Sequence, residues 1–118
     1  MGVVGSYKDL SVWQKSVQLS LAIYRLTAAF PAEERYGLTS QLRRAGVSVP
    51  SNIAEGYGRG TRKEYKHFLT VARGSTLEVQ TQLTIARELE FCQSDQMANT
   101  ESLSEEVSKM LYSLVGRL

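Results

Sequence analysis

Arg59, Arg62, Lys63 and Lys66 crowd eight residues of the chain, just where a Thr61-x-x-Glu64 pattern reads as the opening of a helix. Cations at that position oppose the helix macrodipole, each by roughly 0.3 kcal/mol or more. A bound anion reverses the effect, because a helix N-terminus presents free N–H groups. Phosphate on RNA or DNA is the obvious anion. The surrounding stretch extends the signal. From Arg43 to Arg73 there are seven Lys/Arg (adding Arg43, Arg44 and Arg73) against the acids Glu55 and Glu64, a local charge of +5. From Gly74 onward three bases face seven acids, a charge of −4. The formal total of +2 hides a chain divided by sign. A solvated basic face, or salt bridges to the acidic C-terminal segment of the same or another subunit, would explain the cluster equally.

Other chemistry-bearing patterns carry less. Glu64 and His67 have the Glu-x-x-His spacing used in di-iron bundles, but such a site needs a second pair and the chain has one His. Gly56-x-Gly58-x-Gly60 lacks the preceding strand and the Gly-Lys-Ser/Thr ending of a phosphate loop. No Ser, Cys or His arrangement suggests nucleophilic catalysis. With Cys92 and His67 each single, no metal site or cofactor is expected within one subunit, and no enzymatic activity.

The elements that must position the cluster follow from periodicity. At 118 residues the chain is one domain, 9–118, behind a flexible tail of residues 1–8. Met1-Gly2-Val3-Val4-Gly5-Ser6 fits a myristoylation pattern, but no polybasic segment follows to secure an anchor. No apolar run is long enough for a signal peptide or membrane span, and the lone Cys92 suits a reducing, cytoplasmic setting.

A first helix is predicted from Leu10 or Ser11 to Ala29, with Asp9 as N-cap. It carries two apolar stripes: Leu10, Trp13, Val17, Leu21, Tyr24, Ala28, and Val12, Ser16, Leu19, Ile23, Leu26, Phe30. So wide a face implies burial by more than one neighbour. Pro31 ends this helix. A second starts near Leu38, with Thr39 a candidate cap, along Leu42, Ala45, Val49 and Ile53. Pro50 within it predicts a kink, with a break and restart at Ser51 or Asn52 as the alternative. A third runs about 28 residues from Thr61, some 40 Å. A fourth, capped by Ser94 or Asp95, presents Leu103, Val107, Met110, Leu111 and Leu114. No strand-like alternation occurs. The expected architecture is all-α, an antiparallel up-down four-helix bundle.

Several segments together resemble the bacterial 23S rRNA intervening-sequence protein family: Val12-Trp13-Gln14-Lys15, Tyr36-Gly37-Leu38-Thr39-Ser40-Gln41, Arg43-Arg44-Ala45, Asn52-Ile53-Ala54-Glu55-Gly56, Gly58-Arg59 and Ala72-Arg73-Gly74-Ser75. The resemblance implies a four-helix bundle assembling as a homopentamer, without assigned enzymatic activity. It extends to the accessory variability determinant proteins of diversity-generating retroelements, basic pentamers that bind nucleic acid and a reverse transcriptase. By position it marks Arg43, Arg44, Asn52, Glu55, Gly56, Gly58 and Arg59 as signature residues. The chain departs from the family pattern at Gly46 (Ala expected), Thr76 (Leu), Gln80 (Glu) and Glu90 (Gly). Two function classes remain. One is a homo-oligomer binding RNA or DNA through Arg43, Arg44, Arg59, Arg62, Lys63, Lys66 and Arg73. The other is a scaffold or protein-partner module in which Arg43, Arg44 and Glu55 serve subunit contacts. For the arginine pair, about 100° apart on a helix, one member is expected to meet a carboxylate, Glu55 or an acid of another helix.

Overall fold

A computed structural model describes residues 5–118. The expected tail and the myristoylation pattern therefore lie partly outside the described residues, over 1–4. The rest of that tail is built: Ser6 caps a 3₁₀ turn, Tyr7–Asp9, and Asp9 closes a reciprocal capping box with it. Tyr7 packs edge-on against Trp13 at 5.2 Å. Asp9 is thus spent on the turn and does not cap the helix that follows, whose N-cap is Leu10 with no side-chain bond.

Four helices account for the rest: α1 (Ser11–Thr27), α2 (Leu38–Gly58), α3 (Arg62–Glu88) and α4 (Ser94–Gly116). Among the described residues there is no strand. Each helix packs on two others, α1 on α2, α2 on α3, α3 on α4 and α4 on α1, with α2 and α3 in the most extensive contact. The result is a four-helix bundle. Of the two stripes on α1, the one through Val12, Leu19, Ile23 and Leu26 enters the core, while Leu21 and Tyr24 of the other stay exposed. Leu42, Val49 and Ile53 from α2, Leu69, Val79 and Leu83 from α3, and Met97, Val107 and Leu111 from α4 complete it, all fully buried. Each such side chain contributes about 1.5–3 kcal/mol by leaving water.

Pro50 sits inside α2, and the helix runs through it to Gly58 rather than restarting at Ser51 or Asn52. Proline has no N–H to offer the carbonyl of Gly46 four residues back. The Ser20 hydroxyl of α1 donates to that carbonyl instead, at 2.7 Å and buried. Gly46 serves this junction sterically as well: a Cβ there would lie 2.7 Å from Ile23 Cδ1. The departure from Ala, which in sequence only weakens the helix, leaves room for the tip of the Ile23 side chain where α1 and α2 meet.

At the start of α3 Thr61 is the cap, its hydroxyl accepting from the Glu64 amide at 3.2 Å. Neither Ser94 nor Asp95 caps α4; its N-cap is Gln93, without a side-chain bond. The turn after α3 forms in spite of Glu90. That residue takes φ +58°, and the amides of Glu90 and Phe91 reach the carbonyls of Arg87 and Ala86, the bond pair of a Schellman closure. At the remaining departures, Thr76 is buried and donates to the Arg73 carbonyl at 2.6 Å. Gln80 contacts α4 through the Ser104 carbonyl at 3.4 Å.

Candidate nucleic-acid interface

The basic stretch from Arg43 to Arg73, continuous in sequence, does not form one surface. Arg59 lies fifteen positions after Arg44, about 22 Å along the axis of α2. The basic residues therefore fall into separate places.

The first is the α2–α3 connection. Gly56 brings the two helices together, since a Cβ on it would stand 2.7 Å from Phe68 Cβ and 3.3 Å from the Tyr65 carbonyl oxygen. Gly60, at φ +87°, supplies the turn in a backbone region that glycine enters without strain. Gly58 meets nothing within 4 Å, so packing gives no reason for a glycine there. Arg59 pairs with Glu55 one turn back at 2.7 Å and lies over the Phe68 ring at 5.0 Å. Arg62, Lys63 and Lys66 are exposed in the first turns of α3. The ion pairs that reach α4 come from elsewhere, Lys15 to Glu106 and Arg87 to Glu101. Among the described residues, the acidic helix does not neutralise the cluster. Tyr57 and Tyr65 stand edge to face at 6.2 Å nearby. Burial, and secondarily Tyr57, push the Tyr65 phenol above its usual value, so it stays neutral at physiological pH.

Arg117, in the C-cap of α4, lies outside the cluster that the sequence displays. Leu118 next to it lines a hollow with Gly56, Tyr57, Arg62 and Tyr65, which places the chain's end beside the α2–α3 connection. The fold thus brings together residues fifty positions apart, while Arg117 itself lines another hollow, with Leu10 and Lys109. Glu64 and His67 do not form a site; His67 packs its ring edge-on against Phe68 instead. Among the described residues, no three His, Cys, Asp or Glu side chains gather as metal ligands.

The second place is the α1–α2 face. Arg43 Nε donates to the Thr27 hydroxyl at 2.8 Å and a terminal nitrogen reaches the Tyr24 carbonyl at 3.4 Å. Its guanidinium covers the Tyr24 ring at 4.6 Å. Arg44 is exposed. The expected carboxylate partner is absent among the described residues: Glu55 is bound to Arg59, and Arg43 is held by a hydroxyl, a carbonyl and a ring. The reason is register, because Glu55 lies about three turns along α2 from Arg43. Asn52 donates to the Ser48 carbonyl at 2.8 Å and to its hydroxyl, which bonds in turn to Ser75 of α3 at 2.9 Å. That signature residue is part of a polar seam between α2 and α3.

Arg73 stands apart from both. It lies eleven residues beyond Arg62, about 16 Å along α3, with its guanidinium 4.8 Å from the Tyr112 ring of α4 and its Nε buried without a hydrogen-bond partner. A phosphate on the α3 N-terminus could not also reach it.

No helix among the described residues is long and apolar enough to cross a membrane. No curated protein matches the chain. Among solved structures, the fold is similar to that of a protein of unknown function from the S23 ribosomal protein family of Bacteroides thetaiotaomicron, at a TM-score of 0.79 and 22% identity. The alignment covers 88% of this chain and 97% of that one. Residues 8–113 match the model of the 23S rRNA-intervening sequence protein family. That span takes in all four helices but the last few residues of α4, and the chain belongs to this family.

Proposed function

We propose that the protein is a non-enzymatic homo-oligomer that binds RNA or DNA through phosphate contacts at the α2–α3 end. One observation carries the reading: Arg59, Arg62, Lys63 and Lys66 are exposed around the N-terminus of α3, and the ion pairs reaching α4 are made by other residues. Phosphate there would meet cations and helix amides together. Recognition would be blind to sequence, because no helix presents base-reading side chains and the pair Tyr57 and Tyr65 is too small for a stacking platform.

Assembly is supported by the α3–α4 face. Leu77 and Tyr112 remain exposed there around Gly74, where a Cβ would meet nothing within 4 Å. A bare backbone flanked by apolar side chains suits close approach by a neighbour. Five copies is the preferred count, on the resemblance to the intervening-sequence protein family. A cytoplasmic setting suits the single, partly buried Cys92.

Replacing Arg59, Arg62, Lys63 and Lys66 together with Ala tests the reading. Binding to structured RNA, single strands and duplex DNA should weaken alike. The slope of log K against log salt should flatten by up to about 0.9 for each phosphate that is no longer neutralised. Helicity and oligomer mass by light scattering should not change. A parent protein that binds no nucleic acid at physiological salt, with disturbed assembly in the variant, would favour the scaffold reading.

A further inference from the structure

The α1–α2 face holds a hollow of about 490 Å³ that the phosphate reading leaves unused. Tyr24, Arg35, Tyr36, Ser40, Arg43 and Arg44 line it, and no carboxylate does. Glu34, next to Arg35 in the chain, is committed elsewhere: its side chain accepts from the Leu38 amide at 3.1 Å, at the start of α2. The hollow is therefore cationic on three guanidiniums, and it owes nothing to a free helix N-terminus.

Its aromatic side chains are arranged differently from core rings. Tyr36 is 86% exposed, with Arg35 at 5.3 Å over the ring, so an open face remains. Tyr24 is 44% exposed, with Arg43 over it. Arg43 itself is fixed by Thr27 and the Tyr24 carbonyl, while Arg44 is exposed between this hollow and a second one that holds Glu78, with no ion pair formed to it among the described residues. Burying tyrosine would remove apolar area from water; leaving Tyr36 exposed beside guanidiniums has no packing reason. A planar aromatic ring joined to an anion answers both features. The ring stacks on Tyr36 and the guanidinium planes, and the anion takes the Arg44 fork.

We infer that this hollow binds a nucleotide unit, with its base stacked on Tyr36 and its phosphate on Arg44 and Arg35. Arg43 acts as the brace that holds the Tyr24 wall. The site is independent of the α2–α3 end and stands whether or not that end binds nucleic acid. The unit could be a free nucleotide or one residue of a single strand, since both present the same base and phosphate.

The test is NMR titration of the full chain with adenosine 5′-monophosphate, inorganic phosphate, adenosine and a ten-residue oligoadenylate RNA. Adenosine monophosphate should shift the amides of Tyr36, Ser40 and Arg44 saturably, with phosphate and adenosine each at least about tenfold weaker. Tyr36→Ala and Arg44→Gln should each weaken it about tenfold. Both positions are exposed, and circular dichroism should report an intact fold. The variant lacking the four α2–α3 cations should bind the mononucleotide as the parent does. Oligoadenylate that competes at the same amides identifies a single strand as the source; failure to compete identifies the free nucleotide. Phosphate titrating as well as the mononucleotide, binding that survives both substitutions, or no shift at millimolar mononucleotide would overturn the inference. A second copy of the chain covering the hollow would give that last result, together with an altered oligomer mass in Tyr36→Ala.

Discussion

Two regions of α2 use the same parts to different ends. Near its start Gly46 admits Ile23 of α1, and Arg43 covers Tyr24. Near its finish Gly56 admits Phe68 of α3, and Arg59 covers that same Phe68. The arginines differ in what holds them. Arg43 is anchored to Thr27 and Tyr24, sixteen and nineteen residues away. Arg59 is paired with Glu55 one turn back, both half in solvent. A local exposed pair of that kind is worth only about 0.3–0.5 kcal/mol. The first arginine is part of the bundle's joinery; the second can exchange its carboxylate for a phosphate at small cost.

The glycines offer the largest expected effect. Gly56→Ala should destabilise the protein by about 1–3 kcal/mol in urea unfolding, because the new methyl meets Phe68 Cβ and the Tyr65 backbone, which cannot swing aside. Two residues on, Gly58→Ala should raise stability by about 0.4–1 kcal/mol, since its space is open. Equal effects at the two sites would mean that the close approach at Gly56 is not real.

The α1 side is tested through Ser20→Ala. That change leaves the Gly46 carbonyl buried without a donor, at a cost of about 1–3 kcal/mol. Adding Pro50→Ala should recover part of the deficit, because alanine restores the N–H that proline lacks. Thermal melts of the two single variants and the double one would show whether the coupling exists.

Arg43→Ala should then cost about 1–2 kcal/mol through its hydrogen bond and ring contact. Arg59→Ala should cost less, about 1 kcal/mol or below, since its ion pair and its contact with Phe68 are both half in solvent. A reversal of that order, read from denaturant midpoints, would undo the distinction between brace and exchangeable contact. Outside both regions Glu90→Gly sets the scale, with an expected gain of about 1 kcal/mol from removing a left-handed non-glycine residue.

The smallest effect is one of pH at the Gly56 end. Burial raises the Tyr65 phenol above its ordinary value of 10.0. The folded state then favours the protonated form. This contribution is fully present below the unfolded pKa and is lost as pH rises through the folded one. Stability should fall as pH climbs past the ordinary phenol value, less steeply in Tyr65→Phe. Parallel curves for the two proteins would remove Tyr65 from the account.

The number of helices and the capping role of Thr61 follow from local rules: apolar spacing of three and four, Pro31 as a stop, and a hydroxyl three residues before Glu64. Such signals act within a few residues of chain, so sequence expresses them directly. The caps expected at Asp9, Ser94 and Asp95 are not legible in the same way: Asp9 is used by the preceding turn, and α4 begins one residue earlier, with Gln93 at its cap. The candidate site is legible only as charge. That Arg62 and Leu118 line one hollow, that Arg73 shares neither group, and that Arg43 meets a hydroxyl rather than a carboxylate are matters of register between helices. Gly46 and Pro50 show the division most plainly. Their residue types alone dictate that this part of α2 lacks a backbone donor and a side chain; the packing of α1 is what brings Ser20 and Ile23 to fill both places. Propensity is a property of neighbours in the chain, whereas a hydrogen bond across twenty-six residues exists only once the helices have closed.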